Sequence, residues 1–152
     1  MNKRSSLEEY LEKNGSLTYG FSGGSMLPLL RQGRDLFTVR RKTADRCEAG
    51  DVILYRRRHR YVLHRIVKVR PEDYVDLGDN CVKLEYGIRD EDIIGVMTGF
   101  VRDGKTHFVD EAWYRKYTAT WLRMVPVRIR MPGTLRMLLG SKYITSLLRG
   151  VE

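Results

Sequence analysis

The stretch Arg60-Tyr61-Val62-Leu63-His64-Arg65-Ile66-Val67-Lys68-Val69 decides the class of fold. Tyr61, Leu63, Arg65, Val67 and Val69 fall on one side of an extended segment, and Val62, His64, Ile66 and Lys68 on the other. A period of two residues is that of a β-strand. Working outward, Asp51–Arg56 holds the apolar run Val52-Ile53-Leu54-Tyr55 after the turn Ala49-Gly50, and Asp35–Arg41 carries Leu36, Phe37 and Val39. Asp73–Leu77 and Asp92–Arg102 continue the pattern downstream, and Leu17–Phe21 adds a strand upstream. Arg102-Asp103-Gly104-Lys105 places Asp-Gly between apolar flanks, which is hairpin-turn chemistry. Short strands with frequent turns predict a mainly β, mostly antiparallel assembly.

The flanks read differently. Ser6-Leu7-Glu8-Glu9 has the form of a capping box, which predicts a helix from Leu7 to about Asn14, closed by Gly15. Residues 1–110 then form the β unit with its N-terminal helix, and residues 111–152 a basic, aromatic, helical extension. In the extension Glu111–Met124 is expected to be helical, Pro126 and Pro132 to interrupt, and Thr134–Arg149 to form a second helix with Leu135, Leu138, Leu139, Ile144, Leu147 and Leu148 at helical intervals. Trp113, Tyr114, Tyr117 and Trp121 interleave with Arg115, Lys116 and Arg123. Such a face either packs on the sheet or rests on a membrane surface.

At 152 residues, 42% apolar and 31% charged, the chain suits one globular domain. It lacks the ~20 consecutive apolar residues of a membrane span. Met1 to Leu11 is charged and has no apolar segment, so no export signal is expected and the cytoplasm is the expected compartment. The net charge is +9, and the extension holds eight Lys or Arg against two Glu. Charge of this sign can meet nucleic acid, anionic lipid or acidic peptide. The cluster Arg56-Arg57-Arg58-His59-Arg60 has no base-reading element around it and reads as a solvated hairpin tip, so nucleic acid is not the expected partner. Cys47 and Cys81 are too few for a disulfide framework and lack metal-ligand spacing, so free thiols, no metal and no cofactor are expected.

Chemistry concentrates at two places. Ser25 sits in the turn Ser22-Gly23-Gly24-Ser25-Met26-Leu27-Pro28, where glycines allow close backbone approach and Pro28 stiffens the segment just beyond. A serine is a weak nucleophile until a base takes its proton and donors meet the oxyanion. His64, on the strand face shared with Val62 and Ile66, can be that base, since an imidazole titrates near neutral pH.

Five segments in order, Gly24-Ser25-Met26-Leu27-Pro28, Gly50-Asp51-Val52-Ile53-Leu54-Tyr55, His64-Arg65-Ile66-Val67, Gly78-Asp79-Asn80 and Ile94-Gly95-Val96, resemble the signal peptidase I superfamily, which includes the LexA-like self-cleaving repressors. The resemblance covers Leu17 to Val101. It implies a coiled β-sheet domain, with Ser25 as nucleophile. His64 stands where the bacterial branch has lysine, as in the archaeal and endoplasmic-reticulum branch with its Ser–His pair. In that branch an acid after Gly-Asp-Asn assists the histidine. Glu85 matches the place, although the family has Asp there, and Asp79 is the alternative acid. Many relatives carry Ser or Thr two residues before the nucleophile as an oxyanion donor. Here that residue is Gly23, leaving backbone at Ser25 and Gly24. The turn residues Gly23, Gly24, Met26 and Pro28 are the expected oxyanion and substrate-binding positions.

The resemblance thus implies a serine endopeptidase, slow or highly specialised, that acts on an extended peptide or leader segment of a protein. Two other readings stay open: a non-catalytic peptide-binding module of the same fold, and a LexA-like autoproteolytic regulator. About 20 residues precede the Ser25 motif, too few for the DNA-binding domain of such regulators.

Overall fold

The computed structural model describes residues 3–131, with side chains from Leu7 onward. Among the described residues eight strands form one antiparallel sheet. They are β1 (Ser16–Tyr19), β2 (Asp35–Arg41), β3 (Val52–Arg57), β4 (Arg60–Val69), β5 (Tyr74–Leu77), β6 (Glu85–Ile88), β7 (Ile93–Arg102) and β8 (Lys105–Phe108). Helix α1 (Lys3–Asn14) precedes them and helix α2 (Ala112–Arg128) follows. The sheet runs β1-β2-β7-β3-β4-β5-β6, with β8 on β7. One edge of β7 serves two partners: Ile93 to Val96 pair with β3, and Gly99 to Arg102 pair with β8. The expected mainly β architecture is therefore present, and β2 and β4 have the expected bounds.

Apolar side chains pack on both faces of the sheet. Val52, Leu54 and Leu63 join one core cluster, while Ile53, Tyr55 and Ile66 join a second. That is why β3 reads as an unbroken apolar run rather than an alternation. β6 is absent from the sequence expectations. It is four residues long, sits at the sheet's edge and contains Gly87 at φ +79°, all of which weaken a strand signal. The Asp-Gly hairpin forms as expected, with Asp103 and Gly104 both at positive φ between β7 and β8.

Both helices depart from expectation. α1 begins at Lys3, so Ser6 lies inside it and is not its cap. α2 continues through Pro126 to Arg128. The proline falls in the last turn, where it removes a single helical hydrogen bond and the aromatic face upstream is already anchored. Tyr114, Tyr117 and Trp121 are buried in the first core cluster, so α2 packs on the sheet. Arg115, Lys116 and Arg123 face outward. The second helix expected over 134–149 lies outside the described residues. Among the described residues no helix is long and apolar enough to cross a membrane.

Candidate active site

Ser25 lies partly exposed in the connection between β1 and β2. Gly23 holds φ +93°, a conformation that side chains rarely adopt, and its N–H donates to Gln32 Oε1 at 2.8 Å. That amide is therefore committed within the turn. A serine in place of Gly23 would be strained on this backbone, which gives the glycine a local cause. Met26 does not face a substrate: its side chain is 1% exposed and packs with Leu29 and Leu30 in the core. It anchors the turn from beneath, because a methionine there buries apolar area. Pro28 is half-buried.

A second loop, after β5, pins this turn. Asn80 N–H donates to Ser25 O at 2.8 Å, and Asn80 Nδ2 donates to Gly24 O at 3.1 Å. Gly78 fills the narrowest point. A Cβ there would stand 2.7 Å from Ser25 O, 2.7 Å from Cys81 Sγ and 3.0 Å from His64 Nε2. The Ser25 carbonyl, the His64 ring and the Cys81 sulfur therefore close around one point at which only glycine fits.

Strand register assembles the rest. Tyr55 on β3, His64 on β4, Asp76 on β5 and Glu85 on β6 fall on one face of four adjacent strands. Ile53 pairs with His64, Ile66 with Asp76, and Asp76 with Glu85. His64 Nδ1 lies 3.1 Å from Asp76 Oδ1, and both residues are buried. A carboxylate accepts only, so Nδ1 carries a proton and Nε2 faces the Gly78 gap. Burial opposes a charge on this ring. The hydrogen bond to Asp76 and the Cys81 sulfur outweigh it, and the pKa is raised to about 9.

The expected acids occupy other roles. Glu85 accepts from the Tyr55 hydroxyl at 2.7 Å and pairs with Arg57, so its partners are not His64. The Tyr55 hydroxyl has a single proton, which goes to Glu85. Asp76 Oδ2 is left buried without a hydrogen-bond partner. Asp79 is 1% exposed and both its oxygens are taken: Arg65 Nε and Nη2 each donate at 2.8 Å, and Tyr117 O–H at 2.9 Å. Arg65 Nη1 continues to Gly50 O at 2.9 Å and Thr118 Oγ1 at 3.1 Å. Trp121 Nε1 and Arg128 both donate to Asp79 O, and Arg128 also reaches Cys81 O. Asp79 thus ties α2 to the loop that holds Ser25 in place.

The ligand atoms of His64, Asp76 and Glu85 lie within 4.8 Å of one another. In this arrangement Glu85 is engaged by Tyr55 and Arg57, and His64 Nδ1 by Asp76.

Sequence reading singled out Ser25 and His64 and did not single out Asp76 or Cys81. Asp76 had a signal: it is the one carboxylate in the apolar strand Tyr74-Val75-Asp76-Leu77, and a buried carboxylate needs a partner. Cys81 had none, because its neighbours come from distant segments. Chemically, the arrangement can orient an imidazole on a buried carboxylate and set its other nitrogen beside Cys81 and the turn that bears Ser25. Comparison with protein-family models, with curated proteins and with solved structures finds no match for this chain.

Proposed function

We propose that this chain is a serine endopeptidase of signal-peptidase type, with Ser25 as nucleophile, His64 as general base and Asp76 orienting the ring. One observation carries the reading. Two segments far apart in sequence meet at Gly78, where the Ser25 main chain and His64 Nε2 both pack against the same glycine. The ring's other nitrogen rests on a buried carboxylate, as a base that must keep one tautomer requires. In the proposed cycle neutral His64 accepts the Ser25 proton as Oγ attacks a peptide carbonyl. The resulting imidazolium returns that proton to the leaving amine, and water then releases the acyl-enzyme. The Ser25 N–H is the proposed oxyanion donor, and the substrate an extended peptide or leader segment. Two free thiols fit a reducing compartment, so the cytoplasm is the proposed place of action.

The test is labelling by a fluorophosphonate probe, together with cleavage of candidate leader peptides, in wild type, Ser25→Ala and His64→Ala. Labelling and cleavage are expected in wild type and lost in both variants. Equal signals in all three reject the proposal. A second reading, a peptide-binding module without turnover, draws on the pKa of about 9, which leaves few rings neutral at pH 7. Peptide affinity in both wild type and Ser25→Ala, with no cleavage by either at pH 9, would favour it.

A further inference from the structure

The two cysteines sit in opposite environments. Cys47 is buried in the second core cluster, and burial pushes its thiol up to about 11. Cys81 is partly exposed, on the loop between β5 and β6. Its backbone is fixed, with N–H on Gly78 O at 2.8 Å and O accepting from Arg128 at 3.2 Å. Its sulfur borders the same gap as His64 Nε2 and lies 4.0 Å from Ser25 O. The side chains around the ring are Cys81 from the loop, Asp76 from β5, Tyr55 from β3 at 6.4 Å between ring centres, and Glu85 from β6. Asp76 Oδ2 has no partner, so the imidazolium is the countercharge that this buried carboxylate requires. A cationic imidazole beside a sulfur is the arrangement that makes cysteines reactive.

From this geometry we infer that Cys81 is a peroxide-sensitive thiol sharing His64 with Ser25, and that its oxidation to a sulfenic acid switches the site off. The switch rests on the peptidase reading; the reactivity of the thiol does not. In the step, sulfur attacks one oxygen of hydrogen peroxide, forming the S–O bond as the O–O bond breaks. The departing hydroxide takes the His64 proton and leaves as water, and the ring recovers a proton from the thiol. Sulfur is oxidised by two electrons and the peroxide is reduced. The added oxygen lies on the sulfur that neighbours Nε2 and hydrogen-bonds the ring that Ser25 needs. A small thiol reverses the change through a mixed disulfide.

Two arms test this on the full chain. In the first, iodoacetamide labelling at pH 7 is followed site by site. Cys81 is expected to react at least about tenfold faster than glutathione while Cys47 stays unlabelled, and the excess is expected to vanish in His64→Gln. Asp76→Asn gives the same reading if His64→Gln does not fold. Cys81 reacting no faster than glutathione, or equally fast in a folded His64→Gln, overturns the inference. In the second, fluorophosphonate labelling of Ser25 is measured after hydrogen peroxide. Wild type is expected to lose labelling and regain it with dithiothreitol, while Cys81→Ser keeps it. Equal loss in both, or no loss in wild type, overturns the switch. If untreated wild type takes no fluorophosphonate, the peptidase reading has failed, and the iodoacetamide arm still decides whether Cys81 is activated.

Discussion

Asp76 carries more of the site than its place in a short strand suggests. With Cys81 it raises His64 to about 9, and one of its own oxygens is buried without a hydrogen bond. Asp76→Asn is expected to lower the ring's titration midpoint below its ordinary 6.5, because burial then acts on the imidazolium without a carboxylate. Two-dimensional NMR of the His64 ring protons across pH 5–10 measures this, and an unchanged midpoint would remove Asp76 from its role. On the proposed peptidase reading the same variant is expected to lose about 10²–10⁴-fold in kcat/KM, the usual range for general-base assistance. Glu85→Gln, which alters contacts to Tyr55 and Arg57, should lose under about tenfold on the same scale. Gly78→Ala tests the gap from the other side. Its methyl would press on the Ser25 carbonyl, which is backbone and cannot swing away. A loss of about 1–3 kcal/mol in urea unfolding is expected, with cleavage falling further than stability.

At the scale of elements, α2 acts as a buttress. Its Tyr117, Trp121 and Arg128 all grip Asp79, and Asp79 holds Arg65 on β4, so helix, strand and loop share one buried polar cluster. Tyr117→Phe deletes one donor to Asp79 and is expected to cost about 1–3 kcal/mol. Asp79→Ala leaves Arg65 charged and unpaired in the interior, and is expected to cost about 3–5 kcal/mol. Urea midpoints of the two variants separate a clamp from a passive helix: equal and negligible shifts would mean that α2 lies on the sheet without holding it. The predicted alternation of β4 was legible in sequence, as was the Asp-Gly hairpin, because period-two patterning and turn chemistry are local. The attachment of α2 was not, since an aromatic helix face reads alike whether it meets a sheet or a membrane.

For the whole molecule, the His64–Asp76 pair ties stability to pH, and on the proposed reading it ties activity to pH in the opposite direction. The folded pKa of about 9 exceeds the ordinary 6.5, so the stabilisation from ring protonation is complete below about 6.5 and is lost as pH rises through about 9. On the proposed peptidase reading catalysis needs the neutral ring, so kcat/KM is expected to climb over the same window. Urea unfolding of wild type and His64→Gln from pH 6 to 9.5 should show the wild-type advantage shrinking steadily, while the wild-type rate rises. A rate that is flat from pH 6 to 9 would count against His64 as the base.

The strands that carry His64 and flank the Ser25 turn were legible in the amino-acid sequence, because glycine-rich turns, strand periodicity and hairpins are written in neighbouring residues. The partners of His64 were not. The resemblance implied Glu85, with Asp79 as the alternative, yet pairing across β4, β5 and β6 delivers Asp76 to the ring and spends the other two on Tyr55, Arg57 and Arg65. A shift in register between Ile66 and Lys68 sets that pairing, and nothing in the linear chain announces it. Cys81 arrives at the same gap only because Gly78 lets three separate segments approach within van der Waals distance. Which acid serves a buried base is decided by which charge can reach it once water is excluded, and that is a property of the packed sheet.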